Sequence, residues 1–168
     1  MLNNAQLLIL KNAIIAETDP IVTDALAIGS HNVIADFYNT DHATTIVWKT
    51  YLKEHDIVSN VSEESTSWDW TAYIATSVAE KMAWERIFNG TFSINPSLDQ
   101  VRSGIAAIFS GPSGAGQRAH LLAIAKRHAT KAEALYITGN GTAASPGKLT
   151  FEGWIHFNDV TAALALQG

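Results

Sequence analysis

The sequence predicts a mainly α protein, a helical bundle of about five to six helices with a small β-hairpin or two short strands near residues 44–50 and 148–157. Three observations predict it. Apolar residues recur at helical spacing through most of the chain. Residues that suit helix starts, such as Asn3, Asp19 with Pro20, Ser30 and Asn158, stand just before those runs. Only Thr44–Thr50 and Leu149–Phe157 carry a strand pattern, the first β-branched and the second alternating.

Taken in order, Asn3 or Asn4 caps a first helix that runs to Ala16, with Leu7, Leu8, Leu10, Ile14 and Ile15 as its buried side. Asp19-Pro20 reads as cap and first-turn proline of a short second helix that ends at Gly29. Ser30 opens a third through Tyr38, and Asn39-Thr40-Asp41 is a turn before the Thr44–Thr50 strand. Residues 51–67 are polar and acidic and read as an exposed, mobile loop. Trp70–Phe88 reads as one helix stopped at Asn89-Gly90, its apolar residues on more than one face and so covered on several sides. Asn95-Pro96-Ser97 begins the next, with Val101, Ile105 and Ile108 in one stripe, and Ser110-Gly111-Pro112 ends it. The longest helix is expected over Gln117–Tyr136. A glycine-rich turn region, Thr138–Gly147, leads to the second strand, and Asn158 caps a last short helix.

A length of 168 residues fits a single domain over 1–168, a helical core with a C-terminal β extension, although two small domains fit as well. The absence of cysteine excludes disulfides, thiolate metal sites and thiol nucleophiles. The apolar N-terminus lacks a basic leader and is interrupted by Asn and Lys, so it reads as an amphipathic helix. No apolar run approaches the roughly 20 residues that cross a bilayer, and no membrane partner is expected.

No motif names a reaction, and no catalytic, cofactor-binding or metal-ligating residue is assigned. Gly111–Arg118 opens a helix but lacks the Lys-Ser/Thr ending of a nucleotide loop, and a plain turn is preferred. Gly139-Asn140-Gly141 lacks the strand and helix of a dinucleotide site. The six histidines include no i, i+4 helical pair, and His128 reads as a core residue.

Charge is uneven. Residues 1–100 hold five Lys/Arg against thirteen Asp/Glu, and residues 101–168 hold six against three, within a net charge of −5. Such a chain can attract a copy of itself if the two halves reach different surfaces. The candidate interface residues follow from this. Arg118, His120, Arg127 and Lys131 form a basic ridge on the expected long helix, Glu63 and Glu64 lie in the acidic loop, and Trp68 and Trp70 flank a helix start. Trp68 and Trp70 read equally as interface anchors or as a hydrophobic staple. The ridge reads as a solvated face or a subunit contact, since the chain is acidic overall.

Several segments, in this order, carry a resemblance: Ala35-Asp36-Phe37-Tyr38-Asn39, Ile46-Val47-Trp48-Lys49-Thr50, Asn95-Pro96-Ser97 with Val101-Arg102-Ser103-Gly104, Phe109-Ser110-Gly111, Lys131-Ala132-Glu133-Ala134-Leu135-Tyr136, and Thr138–Pro146 running into Phe151-Glu152-Gly153. Together they resemble a family of small proteins of tailed bacteriophages that are encoded among virion structural genes. The resemblance implies a virion component made in the host bacterial cytoplasm, with no enzymatic activity and no cofactor. Within that class it favours a head-to-tail connector, an adaptor or neck subunit in a homo-oligomeric ring between portal and tail. Its partners would be the portal protein and neighbouring neck or tail proteins, with passing DNA touched only non-specifically. The alternatives are a tail or baseplate structural protein, or a small phage-encoded nucleic-acid-binding or enzymatic accessory factor.

Overall fold

The computed structural model describes residues 2–88 and 93–166. In chain order the elements are α1 (Asn4–Ala16), α2 (Pro20–Ala27), α3 (His31–Tyr38), β1 (Asp41–Trp48), β2 (Leu52–Lys53), α4 (Glu54–Ser59), α5 (Trp70–Ala75), α6 (Val78–Phe88), β3 (Ser93–Ile94), α7 (Asp99–Ile108), a 3-10 turn at Pro112–Gly114, α8 (Ala115–Ile124), β4 (Lys126–Thr130), α9 (Lys131–Ala134), β5 (Ile137–Thr138), β6 (Lys148–Leu149) and α10 (Phe157–Ala165). The protein is mainly α with small two-stranded sheets, β1 with β4, β2 with β3 and β5 with β6. The chain divides into two compact units, residues 1–47 with 128–168, and residues 48–127.

The first unit is aliphatic. Asn3 and Gln6 exchange side-chain and backbone hydrogen bonds, both 3.0 Å, in a capping box that starts α1. The Asp19 side chain accepts from the Ile21 amide, with Pro20 at the first position of α2, and Gly29 follows that helix at φ +69°, a conformation that favours glycine. α1 packs on α10, α2 on α3, and α3 on α10, burying Leu10, Ile14, Val22, Ile34 and Val160. Leu8 and Ile15, expected inside, are exposed, because the α1 face toward α10 is the narrower stripe of Leu7, Leu10 and Ile14. The Leu2 amide donates to Asp159, and the Tyr136 hydroxyl donates to the Gln6 carbonyl at 2.8 Å.

The second unit is aromatic. The Trp68 ring centroid lies 5.2 Å from Tyr73, 5.3 Å from Trp84, 6.2 Å from Phe109 and 6.4 Å from His120. Leu52, Ile57, Ile105 and Leu121 complete this core. Leu52 pairs with Ile94 in the antiparallel β2–β3 ladder. A Cβ on Gly114 would stand 2.9 Å from the Phe109 Cα, so the turn before α8 needs a residue with no side chain.

Several expectations are corrected. The described residues hold ten α-helices where about five to six were expected. Two expected long helices are each interrupted at a capping box. Trp70–Phe88 breaks where the Ser77 amide donates to Glu80 and the Glu80 amide donates to the Ser77 hydroxyl. Gln117–Tyr136 breaks after Ile124. Residues 126–130 become a strand beside β1, and the Thr130–Glu133 box restarts a helix. The expected stop at Asn89-Gly90 lies outside the described residues. Residues 51–67 include β2 and α4 and so are not one irregular loop.

The alternating stretch from Leu149 is a strand only at Lys148–Leu149. Beyond it, backbone groups find side-chain partners in place of a ladder. Asn39 accepts from the Ile155 amide and donates to its carbonyl, and the Gly153 amide donates to Glu133. The glycine-rich region lies along β1. The Ile46 amide donates to the Gly141 carbonyl at 2.8 Å, and the Gly147 amide donates to the Ile46 carbonyl at 2.9 Å.

Candidate functional site

The basic ridge expected on one helix does not form, because α8 ends at Ile124. His120 is fully buried in the second unit. Its Nε2 donates to the Ile57 carbonyl at 2.7 Å, and its Nδ1 is paired with the Thr66 hydroxyl at 3.0 Å. Thr66 is in turn 2.7 Å from the Ser62 hydroxyl. The imidazole therefore fastens the 60s segment to the core and presents nothing to a partner. Arg118 donates to the Phe109 carbonyl, which serves the C-terminal end of α7.

Arg127 stands on β4, whereas Lys131 belongs to the first unit, its ammonium 3.3 Å from the centre of the Phe37 ring. The acidic 60s run and the basic residues that follow α8 meet within the second unit. Lys126 forms an ion pair with Glu64. Burial pushes the Lys49 pKa down and nearby Arg127 adds to this, while Glu63 and Asp56 oppose it. Charges expected to meet a neighbour are thus engaged inside the chain.

The units also redistribute the charge seen along the sequence. The first holds three Lys/Arg against eight Asp/Glu, and the second holds eight of each. The acidic body is built from both ends of the chain, and the acidic and basic halves of the sequence are not the two units.

Of the two candidate tryptophans, Trp68 is the centre of the aromatic core. Asp69 caps α5 by accepting from the Ala72 amide at 3.0 Å, which places Trp70 at the first helical position. The Trp70 ring is edge-on to Trp68 and Tyr73, both 6.0 Å away, and more than half of the residue is exposed. Ile74 follows one turn later on α5. Val78 and Met82 are likewise one turn apart on α6, and all three are more than half exposed. Trp70 with Ile74 on α5, and Val78 with Met82 on α6, are therefore two exposed apolar pairs, one on each helix. Ile74, Val78 and Met82 are expected from the sequence to be covered, whereas Trp70 is a candidate interface anchor there. Their regular spacing was visible in the sequence, but nothing there marks which apolar stripe stays uncovered.

Among the described residues, no group of three or more His, Asp or Glu could hold a metal, and no helix is long and apolar enough to cross a membrane. Compared with family models, curated proteins and solved structures, the chain finds no match.

Proposed function

We propose that this chain is a structural subunit of a tailed-phage virion, a head-to-tail connector that packs with copies of itself into a ring between portal and tail. The observation that carries the reading is the exposure of two apolar pairs, Trp70 with Ile74 on α5 and Val78 with Met82 on α6. Large apolar side chains at this exposure gain by burial against a partner, and an aromatic among them is a suitable anchor. The resemblance adds support of a second kind, because those of its segments that fall in the first unit hold one another. Ile46 bonds Gly141, and Glu133 bonds Gly153. Asn39 of the first segment holds the backbone of Ile155 just past the last. An acidic body also suits a ring through which DNA slides without adhering.

The test is assembly. Ile74→Asp with Val78→Asp should leave the monomer's melting curve within about 0.5 kcal/mol of the parent, as for surface changes generally. The same pair should abolish ring formation, or capture by the portal ring, in native mass spectrometry. Particles that incorporate the double variant at parental levels would remove these exposed residues from the interface. Purified virions lacking this chain altogether would overturn the functional reading.

A further inference from the structure

We infer that a cleft in the first unit is a binding site for an alkyl cation, a guanidinium or ammonium group on a short aliphatic stem such as an Arg or Lys side chain carries. The cleft encloses about 590 Å³ and is lined by residues of α1, α3, β1 and α9 together with the segment that follows α1. That is within the range of small-ligand sites. Ala13, Ala16 and Ala134 supply a wall of methyl groups for a stem. Glu17 and Asp19 supply the charge.

Both carboxylates are already held in place through one oxygen. Glu17 Oε1 accepts from the amides of Thr18 and Asp19, and Asp19 Oδ1 accepts from the Ile21 amide. The other oxygen of each has no hydrogen-bond partner among the described residues and can accept from a ligand.

The second, independent observation is Tyr38. It is 3% exposed and lines the cleft, and its hydroxyl has no hydrogen-bond partner among the described residues. A buried hydroxyl left unpaired is costly, and an N–H donor from a ligand relieves that cost. Burial, with a smaller contribution from Glu17, pushes its pKa up to about 12, so at neutral pH the oxygen keeps its proton and offers lone pairs to a donor. Lys131 stands at the same cleft with its ammonium over the Phe37 ring. A cationic ligand competes with Lys131 for that aromatic face and meets its like charge, which makes the sign of the Lys131 effect diagnostic. This assignment stands apart from the virion reading.

The experiment is an amide-resolved NMR titration of the full chain with N-acetyl-arginine amide, N-acetyl-citrulline amide and spermidine. The arginine derivative should shift α1 and α3 amides saturably, and the isosteric neutral citrulline derivative should not. Glu17→Gln with Asp19→Asn keeps an oxygen acceptor for the amides that each carboxylate now holds, and should weaken binding by about tenfold or more. Lys131→Gln should tighten it several-fold. Tyr38→Phe should weaken binding without lowering the melting temperature, since it removes a hydroxyl that bonds nothing in the free protein. Arginine derivative ahead of spermidine identifies a protein side chain as the source. Spermidine ahead identifies a free polyamine, and either order supports the site. Equal binding of citrulline and arginine, no saturable shift with either cation, or the reversed pattern (tighter on neutralising Glu17, weaker on neutralising Lys131) would overturn it.

Discussion

The first unit joins two distant segments and buries mostly aliphatic side chains, whereas the second is one continuous segment built around clustered, mostly edge-on rings. The difference teaches how each holds its irregular parts. In the first, side chains reach across long sequence separations to backbone groups. Asn39 clamps Ile155, Asp159 receives the Leu2 amide, and Tyr136 reaches Gln6. In the second, two buried side chains do the comparable work for the 60s segment, His120 toward Thr66 and Gln117 toward the Asp69 carbonyl, inside a cluster of aromatic faces. Directional bonds span remote segments in both units, but in the second they are set among interlocking aromatic rings.

The comparison can be broken most sharply in the aromatic unit. Ile105→Asp places an unpaired charge among fully buried neighbours, and the cost exceeds about 4 kcal/mol. Near-UV circular dichroism from the tryptophan cluster should vanish. Its retention would show that Ile105 is not the keystone of that core. Next in size, Trp84→Ala should cost about 3–5 kcal/mol, against about 2–5 kcal/mol for Leu10→Ala in the aliphatic unit. Denaturant melts that assign both losses to the same transition would mean that the two units do not unfold independently. Asn39→Ala leaves both backbone groups of Ile155 without their partner and should cost about 1–3 kcal/mol. Hydrogen exchange should quicken at Ile155 first.

A pH scan sharpens the contrast further. Burial raises the pKa of Tyr38 from 10.0 to about 12 and also raises Tyr136, so above pH 10 the folded first unit holds protons that the unfolded chain releases. Stability should therefore be intact below pH 10 and fall as pH rises toward about 12. Tyr38→Phe should flatten that slope in a series of urea melts. The smallest effect is expected for Glu64→Gln, about 0–1 kcal/mol, because the carboxylate is half-exposed. A larger loss would assign the ion pair with Lys126 a structural role.

Much of the first unit was legible in the sequence. Asn3, Asp19 with Pro20, and the Gly29 stop mark real helix ends, because caps act through bonds within a few residues. The failures share a cause. Ser77-Val78-Ala79-Glu80 and Thr130-Lys131-Ala132-Glu133 are capping boxes visible in the sequence, but the good helix formers around each one mask the break. For residues 126–130, pairing with β1 outweighs local preference, and a pattern read over one window cannot register a partner some 80 residues away. The candidate ridge failed with that helix, and His120 was placed outside because its Thr66 and Ile57 partners are equally remote. The cleft of Glu17, Tyr38 and Lys131 draws on three separated stretches, and no spacing rule links them.

The split construction of the first unit sets a timetable for synthesis. As the ribosome emits the chain, residues 48–127 are a complete set of neighbours as soon as they emerge. The opening 47 residues must wait until α9 and α10 have been translated, with Leu10, Ile14 and Val22 exposed meanwhile. During that interval the apolar faces of α1 and α2 stay open to wrong partners, and translation of residues 128–168 is what covers them.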